Sequence, residues 1–440
     1  MKLEELDAIK KTGCACGKQH KLTISLDNIH CGSGVLAKLP AILQSYNAKK
    51  VFLLADQNTF AAAGERVCTL LTGAGFAVVN CTYQTGTPEP NEENVGLAMM
   101  YFQPDCDAVV GVGSGVINDI GKIVSAVSGK PYIIVGTAPS MDGYASASSS
   151  MTREGLKISL PSRAADVIIG DTDILCQAPL KLMKSGLGDM LAKYVSICEW
   201  RIANVVTGEY YCEEIANLVR IALKRCVDQA DALLRREPDA VAAVFEGLVI
   251  GGLAMNYAGV SRPASGIEHY FSHVWDMRGV EFGTAVELHG IQCAVGTLLA
   301  ARIYEKLKTI TPDRQKALES FAEFDFSAWA EELRAFLGKG AESMIALESK
   351  EQKYNKEKHA ARLSRILENW DTILQIMEEE LPSPAELEAL LDRIEAPKSM
   401  EEIGIDPAIY RMSFLAAKDI RDKYVLPRLA LDLGVIDEVL

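Results

Sequence analysis

Apolar and polar positions along the first 170 or so residues fall into short blocks whose period keeps changing. Residues 21–26 alternate with period two, as a half-buried strand does, and residues 34–46 space their apolar side chains as a helix does. Residues 50–56 are an apolar run ending in Asp56, followed by helical spacing from Thr59 to Leu71 that stops at Gly73 and Gly75. Strand-like runs recur at 76–81, 108–112, 131–135 and 166–171, with helical stretches at 91–102 and 115–128. Runs that are apolar on both faces and alternate with helices predict a mostly parallel sheet with crossover connections. Residues 1–178 are therefore expected to form an open α/β domain.

From Pro179 onward the pattern is helical. The Ser185-Gly186-Leu187-Gly188 stretch is expected to break the chain, with Asp189 at the start of a helix that continues through Ile202. Residues 209–235 and 238–257 read as helices and residues 261–266 as a turn. Between 345 and 380, Leu363, Ile366, Leu367, Trp370, Ile373, Leu374 and Met377 make one apolar face, with His359 expected at the surface. Residues 179–440 are expected to be an all-α domain, with the active site in the cleft between the two domains.

Charge narrows the function. With 45 basic and 59 acidic residues the net charge is −14, which argues against a nucleic-acid surface. The first six residues lack the apolar core of a signal peptide, and no apolar stretch is read as a membrane span. Eleven cysteines, an odd number set in apolar contexts such as Cys68, Cys198 and Cys226, read as reduced core residues of a cytoplasmic protein. Cys14, Cys16 and His20 stand close together and could hold zinc with Cys31 or His30, but their spacing is not that of a zinc knuckle. A reduced pair near the terminus is the simpler expectation.

In open α/β sheets ligands bind beyond the carboxyl ends of the strands. After residues 108–112 come Gly113, Ser114 and Gly115 leading into Val116, Ile117, Asn118 and Asp119, either a diphosphate-binding turn or an ordinary strand-to-helix connection. Lys122 could add a charge there. Residues 136–150 hold many turn formers and hydroxyls, including Thr137, Ala138, Pro139, Ser140, Asp142 and Ser146, and read as a binding loop. Asp56 could accept from an adenosine ribose or simply cap the next helix.

The chain has six histidines, and three of them, His269, His273 and His289, fall within 21 consecutive positions. His269 and His273 share a helix face at i, i+4 spacing. Such a cluster suggests a divalent metal needing a carboxylate partner, for which Asp189 is a candidate; satisfied core or surface imidazoles are the alternative, as is a helix cap for Asp189.

Taken in order, Gly113 to Asp119, Thr137 to Ser146, Gly188-Asp189, Ser265 to His269 with His273, and His289-Gly290 resemble the sn-glycerol-1-phosphate dehydrogenase family. That family belongs with glycerol dehydrogenase, iron-dependent alcohol dehydrogenases and dehydroquinate synthase. The resemblance implies a dehydroquinate synthase-like fold, an α/β dinucleotide-binding domain followed by a helical domain. It also implies metal ligation by Asp189, His269 and His289, with zinc, nickel or iron as the ion. NAD, or NADP, would lie on Asp56, Gly113, Gly115, Val116, Ile117, Asn118, Asp119, Thr137, Ala138, Pro139, Ser140 and Ser146. Asp142, His273 and Asp189 would face a small phosphorylated three-carbon substrate, dihydroxyacetone phosphate, with Asp142 and His273 catalytic. Arg262 and Lys193 are candidates for its phosphate. A homodimer or larger homo-oligomer is implied. Oxidation of glycerol or another small polyol is an alternative, and a sugar-phosphate cyclase a more distant one. Two departures stand out: His289-Gly290-Ile291-Gln292-Cys293 replaces a His-Gly-Glu pattern, and residues 305–400 are long for the family.

Overall fold

The computed structural model describes residues 14, 16–18, 20, 24–84, 88–321 and 324–440. The strands are β1 (Ile29–Gly32), β2 (Lys50–Asp56), β3 (Ala77–Tyr83), β4 (Ala108–Gly113), β5 (Tyr132–Gly136), β6 (Ser148–Arg153), β7 (Leu156–Pro161) and β8 (Val167–Asp171). Six of them form one parallel sheet in the order β1-β8-β5-β4-β2-β3. The helices α1 (Leu39–Ser45), α2 (Glu65–Gly73), α3 (Glu92–Tyr101) and α4 (Gly115–Ser128) fall within the α/β part. Val51, Leu53, Val110, Ile133 and Ile169 are fully buried in its core, as continuous apolar runs require.

Two local expectations change. Residues 21–23 lie outside the described residues, and Leu26–Asn28 is a 3-10 turn, so the first strand is Ile29–Gly32, pairing with β8 from Ile29↔Ile168 to Gly32↔Asp171. The binding loop ends earlier than expected because β6 and β7 form a hairpin, closed by Glu154 and Gly155, both at positive φ (54° and 75°). On β6 the buried positions are Ser149 and Met151, so the period-two pattern is carried largely by serines.

The chain divides into two compact units, residues 1–190 with 214–260, and residues 191–213 with 261–440. This differs from the single boundary expected at 178/179. The helix α5 (Leu180–Thr207) is unbroken for 28 residues and carries the division between Met190 and Leu191. Gly186 and Gly188 thus lie within a helix and Asp189 is not its cap. Next come α6 (Glu213–Asp228), in the first unit from its second residue on, and α7 (Pro238–Ala258), in the first unit throughout. Phe245 of α7 packs where Gly136 of β5 has no side chain; a Cβ there would come within 2.8 Å of the ring. Among the described residues, α7 is the one helix long and apolar enough to cross a membrane, with a mean hydropathy of 1.5 and 78% burial. The sequence reading found no such span, and burial against the sheet explains α7's composition.

The second unit contains α8 (Ile267–Phe282), α9 (His289–Leu307), α10 (Ala341–Glu351), α11 (Lys356–Glu368), α12 (Trp370–Glu380) and α13 (Leu426–Leu433). Leu363, Ile366, Ile373 and Met377 are buried as expected. His359 is not at the surface: it is 1% exposed, stacks on Phe321 at 3.8 Å, and donates from Nε2 to the Asp432 carbonyl at 2.9 Å.

One buried charge network tests this unit's stability. Asp419 is fully buried beside Arg428 Nη2 at 2.8 Å, Lys418 Nζ at 3.0 Å and the Tyr354 hydroxyl at 2.8 Å. Burial raises its pKa, but Lys418 and Arg428 outweigh it and hold the carboxyl at about 2. Because the folded pKa lies below the unfolded one, the stabilisation is complete above about pH 4 and is lost as pH falls through about 2. Asp419→Asn is expected to destabilise by about 3–5 kcal/mol in urea unfolding at pH 7, with the gap from wild type narrowing toward pH 2. An unchanged midpoint at pH 7 contradicts this.

Candidate metal and cofactor sites

In the first unit the strand order reverses between β2 and β4, the place where open α/β sheets bind ligands. The carboxyl ends of these strands carry Asp56 and Gly113. Asp56 is 9% exposed and caps the following turn, accepting from Thr59 N–H at 2.8 Å through Oδ1. Pairing of Gly113 with Gly136 makes the two following loops leave the sheet side by side. A Cβ on Gly113 would lie 2.6 Å from Ile117, so the turn into α4 is tight.

The loop from Thr137 to Ser146 is bonded onto that turn. Thr137 N–H donates to the Gly113 carbonyl at 3.1 Å, the Ser114 and Ser140 hydroxyls pair, and Tyr144 donates to the Ala138 carbonyl at 2.7 Å. Asn118 N–H, bonded to the Ser114 carbonyl at 2.9 Å, starts the α4 ladder, so the N–H groups of Gly115, Val116 and Ile117 precede it at the helix's positive end. The side chains of Ile117 and Asn118 point inward, and Asn118 Nδ2 donates to the Gly143 carbonyl at 2.9 Å. Lys122 does not add a charge to this turn. It is fully buried, paired with Asp119 at 2.9 Å, and donates to the Ser148 carbonyl at 2.5 Å and to Ser146 Oγ at 3.3 Å.

The same loop leans on α5 and α7. Ser185 Oγ donates to the Ser140 carbonyl at 3.0 Å, and Asp142 N–H donates to Asp189 Oδ2 at 2.9 Å. Asp189 is completely buried in mid-helix. Gly186 admits the Pro139 carbonyl, whose oxygen a Cβ would overlap, and Gly252 admits Asp142, whose carbonyl oxygen a Cβ would meet at 2.9 Å. Asp142 and Asp189 are thereby held together within this unit.

In the second unit α8 and α9 bring His269 and His289 together, their ring centroids 4.9 Å apart. The i, i+4 pairing of His269 with His273 that the sequence offers leaves His273 farther out, half-buried, with its ring 6.3 Å from that of His289. His269 Nδ1 lies 2.9 Å from Glu268 Oε1, so the ring donates there and turns Nε2 outward as a ligand atom. His289 Nδ1 bonds Ser272 Oγ at 3.0 Å. Donor atoms of His269, His289 and Cys293 all lie within 4.8 Å of one another, and Cys293 Sγ is 3.6 Å from His289 Nε2.

Behind His269 sit two buried carboxyls, Glu199 and Glu268. Glu268 Oε1 also accepts from Gly266 N–H at 2.6 Å, while Glu199 accepts from Ile267 N–H at 2.9 Å and Leu426 N–H at 2.7 Å. Burial, and next the neighbouring Glu268, push the Glu199 pKa well up. Glu199 is therefore the protonated neighbour near neutral pH, while the Glu268 carboxyl is the group that accepts from the His269 N–H. Neither Glu199, Glu268, Ser272 nor Cys293 emerged as a candidate from the sequence. Only Cys293, one turn after His289 on α9, could have been found by spacing.

The two phosphate candidates are spent inside the second unit. Arg262 is 1% exposed and forks onto Glu209 at 2.7 and 2.5 Å, with a further bond to the Tyr424 carbonyl at 2.8 Å. Lys193 is fully buried and donates to the Ala264 carbonyl at 3.1 Å.

Residues 30–179 match the family model of iron-containing alcohol dehydrogenases. The chain is 33% identical over 311 residues to the glycerol-1-phosphate dehydrogenase (NAD(P)+) of Halalkalibacterium halodurans, covering 70% of this chain and 76% of the relative. It is 28% identical to the protein of the same name from Geobacillus thermodenitrificans, covering 95% of both chains. Among solved structures, a 1,3-propanediol oxidoreductase is similar with a TM-score of 0.62 at 16% identity, covering 96% of this chain and 100% of that one. At that identity the likeness shows the fold, a parallel-sheet α/β region followed by a helical region.

Proposed function

The chain belongs to the glycerol-1-phosphate dehydrogenase family, and on that premise we propose that it catalyses the reversible, metal-dependent, NAD(P)H-linked reduction of dihydroxyacetone phosphate to sn-glycerol 1-phosphate. The observation that carries the metal part is the pair of imidazoles on α8 and α9, His269 with Nδ1 committed to a buried carboxylate. That donor set fits a divalent ion such as zinc, nickel or iron. In this reading Asp189, His269 and His289 are the ligands. When bound, the cation draws charge from the substrate's carbonyl oxygen and the nicotinamide supplies the hydride.

The chain's own groups do the rest. Glu268 fixes the tautomer and aim of His269, and Asp189, bonded to the Asp142 N–H, fixes the turn that presents Asp142 to the substrate. His273, or water held by it, relays the proton to the former carbonyl oxygen, which becomes the product hydroxyl. The N–H groups of Gly115, Val116 and Ile117 receive the dinucleotide's diphosphate, with Thr137 to Ser140 and Ser146 beside it. Asp56 accepts from the adenosine ribose and favours NAD over NADP by repelling a 2′-phosphate. Cysteines set in the apolar core, such as Cys198 and Cys226, fit a cytoplasmic setting, and exposed Val280, Phe282 and Val286 support homodimer or larger homo-oligomer formation.

The deciding assay is NADH oxidation with dihydroxyacetone phosphate beside dihydroxyacetone. A preference for the phosphorylated ketone is expected, and a clear preference for the other defeats the reading. For the cofactor, Asp56→Ser keeps a capping hydroxyl and removes the charge. It is expected to shift the NADPH-to-NADH ratio of kcat/KM about tenfold toward NADPH, the equivalent of roughly 1.4 kcal/mol. No shift removes Asp56 from the ribose.

A further inference from the structure

Far in sequence from the residues assigned above, Cys14, Cys16 and His20 form a second cluster of metal-binding side chains in the first unit. Gly17 N–H donates to the Cys14 carbonyl at 3.1 Å, and Gly17 has φ +75°, a left-handed turn that favours glycine. The turn brings Cys14 Sγ and Cys16 Sγ to 3.1 Å, and Cys16 Sγ lies 3.1 Å from His20 Nε2. His20 Nδ1 is 2.8 Å from the Tyr257 carbonyl oxygen, 237 positions away at the end of α7. A carbonyl only accepts, so Nδ1 carries the proton and the lone pair of Nε2 faces the sulfurs. An imidazole whose other nitrogen donates to a backbone carbonyl is the arrangement of a metal-bound histidine.

We propose that Cys14, Cys16 and His20 bind a thiophilic divalent cation of the zinc class, and that this ion fastens the N-terminal segment to the end of α7. Tyr257 lies in the last turn of α7, where carbonyls have no partner further along the helix, so the histidine bond serves both the ion and the helix end. The donor set differs in kind from the other site: two thiolates and an imidazole are soft, whereas a carboxylate and two imidazoles accept harder ions. Ligands around zinc at bonds of roughly 2.0–2.3 Å stand about 3.3–3.8 Å apart. The sulfurs and nitrogen, 3.1 Å apart in each of the two measured pairs, need only a small outward movement to receive an ion. A Cys14–Cys16 disulfide is the competing chemistry; it needs an oxidant and places the sulfurs near 2.05 Å.

The test uses the full chain, purified anaerobically, stripped by chelation under a reductant and titrated with cobalt(II). The expected result is a sulfur-to-cobalt charge-transfer band in the near ultraviolet that saturates at about one equivalent. Cys16→Ser and His20→Ala lose or weaken it, whereas His289→Ala keeps it, which separates this proposal from the reading of the other site. Zinc analysis is expected to show about one ion fewer per chain in Cys16→Ser than in wild type. Absence of the band in the reduced wild-type chain overturns the proposal, with no variant needing to fold. A full-strength band in Cys16→Ser overturns it too, as does a Cys14–Cys16 disulfide found by mass spectrometry in anaerobically purified, zinc-supplemented protein.

Discussion

His289→Ala is expected to lower turnover of dihydroxyacetone phosphate roughly 10³-fold, the scale of several kcal/mol that a cation contributes at a developing alkoxide. About one bound metal ion per chain should be lost with it. The fold should survive, because His289 stands at the first position of α9, where its side chain meets Ser272 and Cys293 rather than the apolar core. The comparison that gives the number meaning is Glu268→Gln. That side chain keeps its shape and its bond to Gly266 N–H but puts an amide where the carboxyl faces His269 Nδ1, and changes at such supporting groups typically reduce metal affinity or activity 10- to 100-fold. The expected order is therefore wild type, then Glu268→Gln, then His289→Ala, in both metal content and turnover. If His289→Ala stays within tenfold of wild type with its metal retained, the proposed ligand set fails.

The backbone plan was legible where burial forces a simple pattern. Runs such as Val51–Ala55 and Ala108–Val112 are apolar on both faces and bounded by glycine or an acid, and they became neighbouring parallel strands. Legibility failed where a residue's role depends on a distant neighbour. Gly186 and Gly188 look like a chain break, yet Gly186 lies inside a helix because the Pro139 carbonyl occupies its missing Cβ position. Ser148 to Ser150 look like loop, yet they pair with β7. Lys122, Lys193 and Arg262 look like available cations, and each is consumed by carbonyls or a carboxylate inside its own unit. At the metal site, rare histidines in a short window were enough to nominate His269 and His289. The group that aims His269 is an adjacent glutamate whose inward direction no periodicity reveals, and Glu199 lies 69 positions before Glu268 in the chain.

Gly186→Ala is expected to be among the most damaging single-methyl additions in the first unit. The new Cβ would stand 2.8 Å from the Pro139 carbonyl carbon and overlap its oxygen, and this neighbour is backbone rather than a side chain that can swing aside. Either α5 or the Thr137–Ser140 loop must move, and overpacking of this kind costs about 3 kcal/mol or more. Displacement of the loop also disturbs the glycine turn to which Thr137 and Ser140 are bonded, so NADH binding should weaken about tenfold, an order-of-magnitude consequence of a loss near 1.4 kcal/mol. Gly96→Ala supplies the opposite case: it too lies within a helix, α3, but a Cβ there meets nothing within 4 Å. Helix propensity then acts alone and should raise stability by about 0.5–1 kcal/mol. Urea unfolding of the two variants, with NADH titration by fluorescence, separates the effects. Equal midpoints for both would mean that the contact between α5 and the loop is loose, and with it the case for a rigid floor beneath the cofactor.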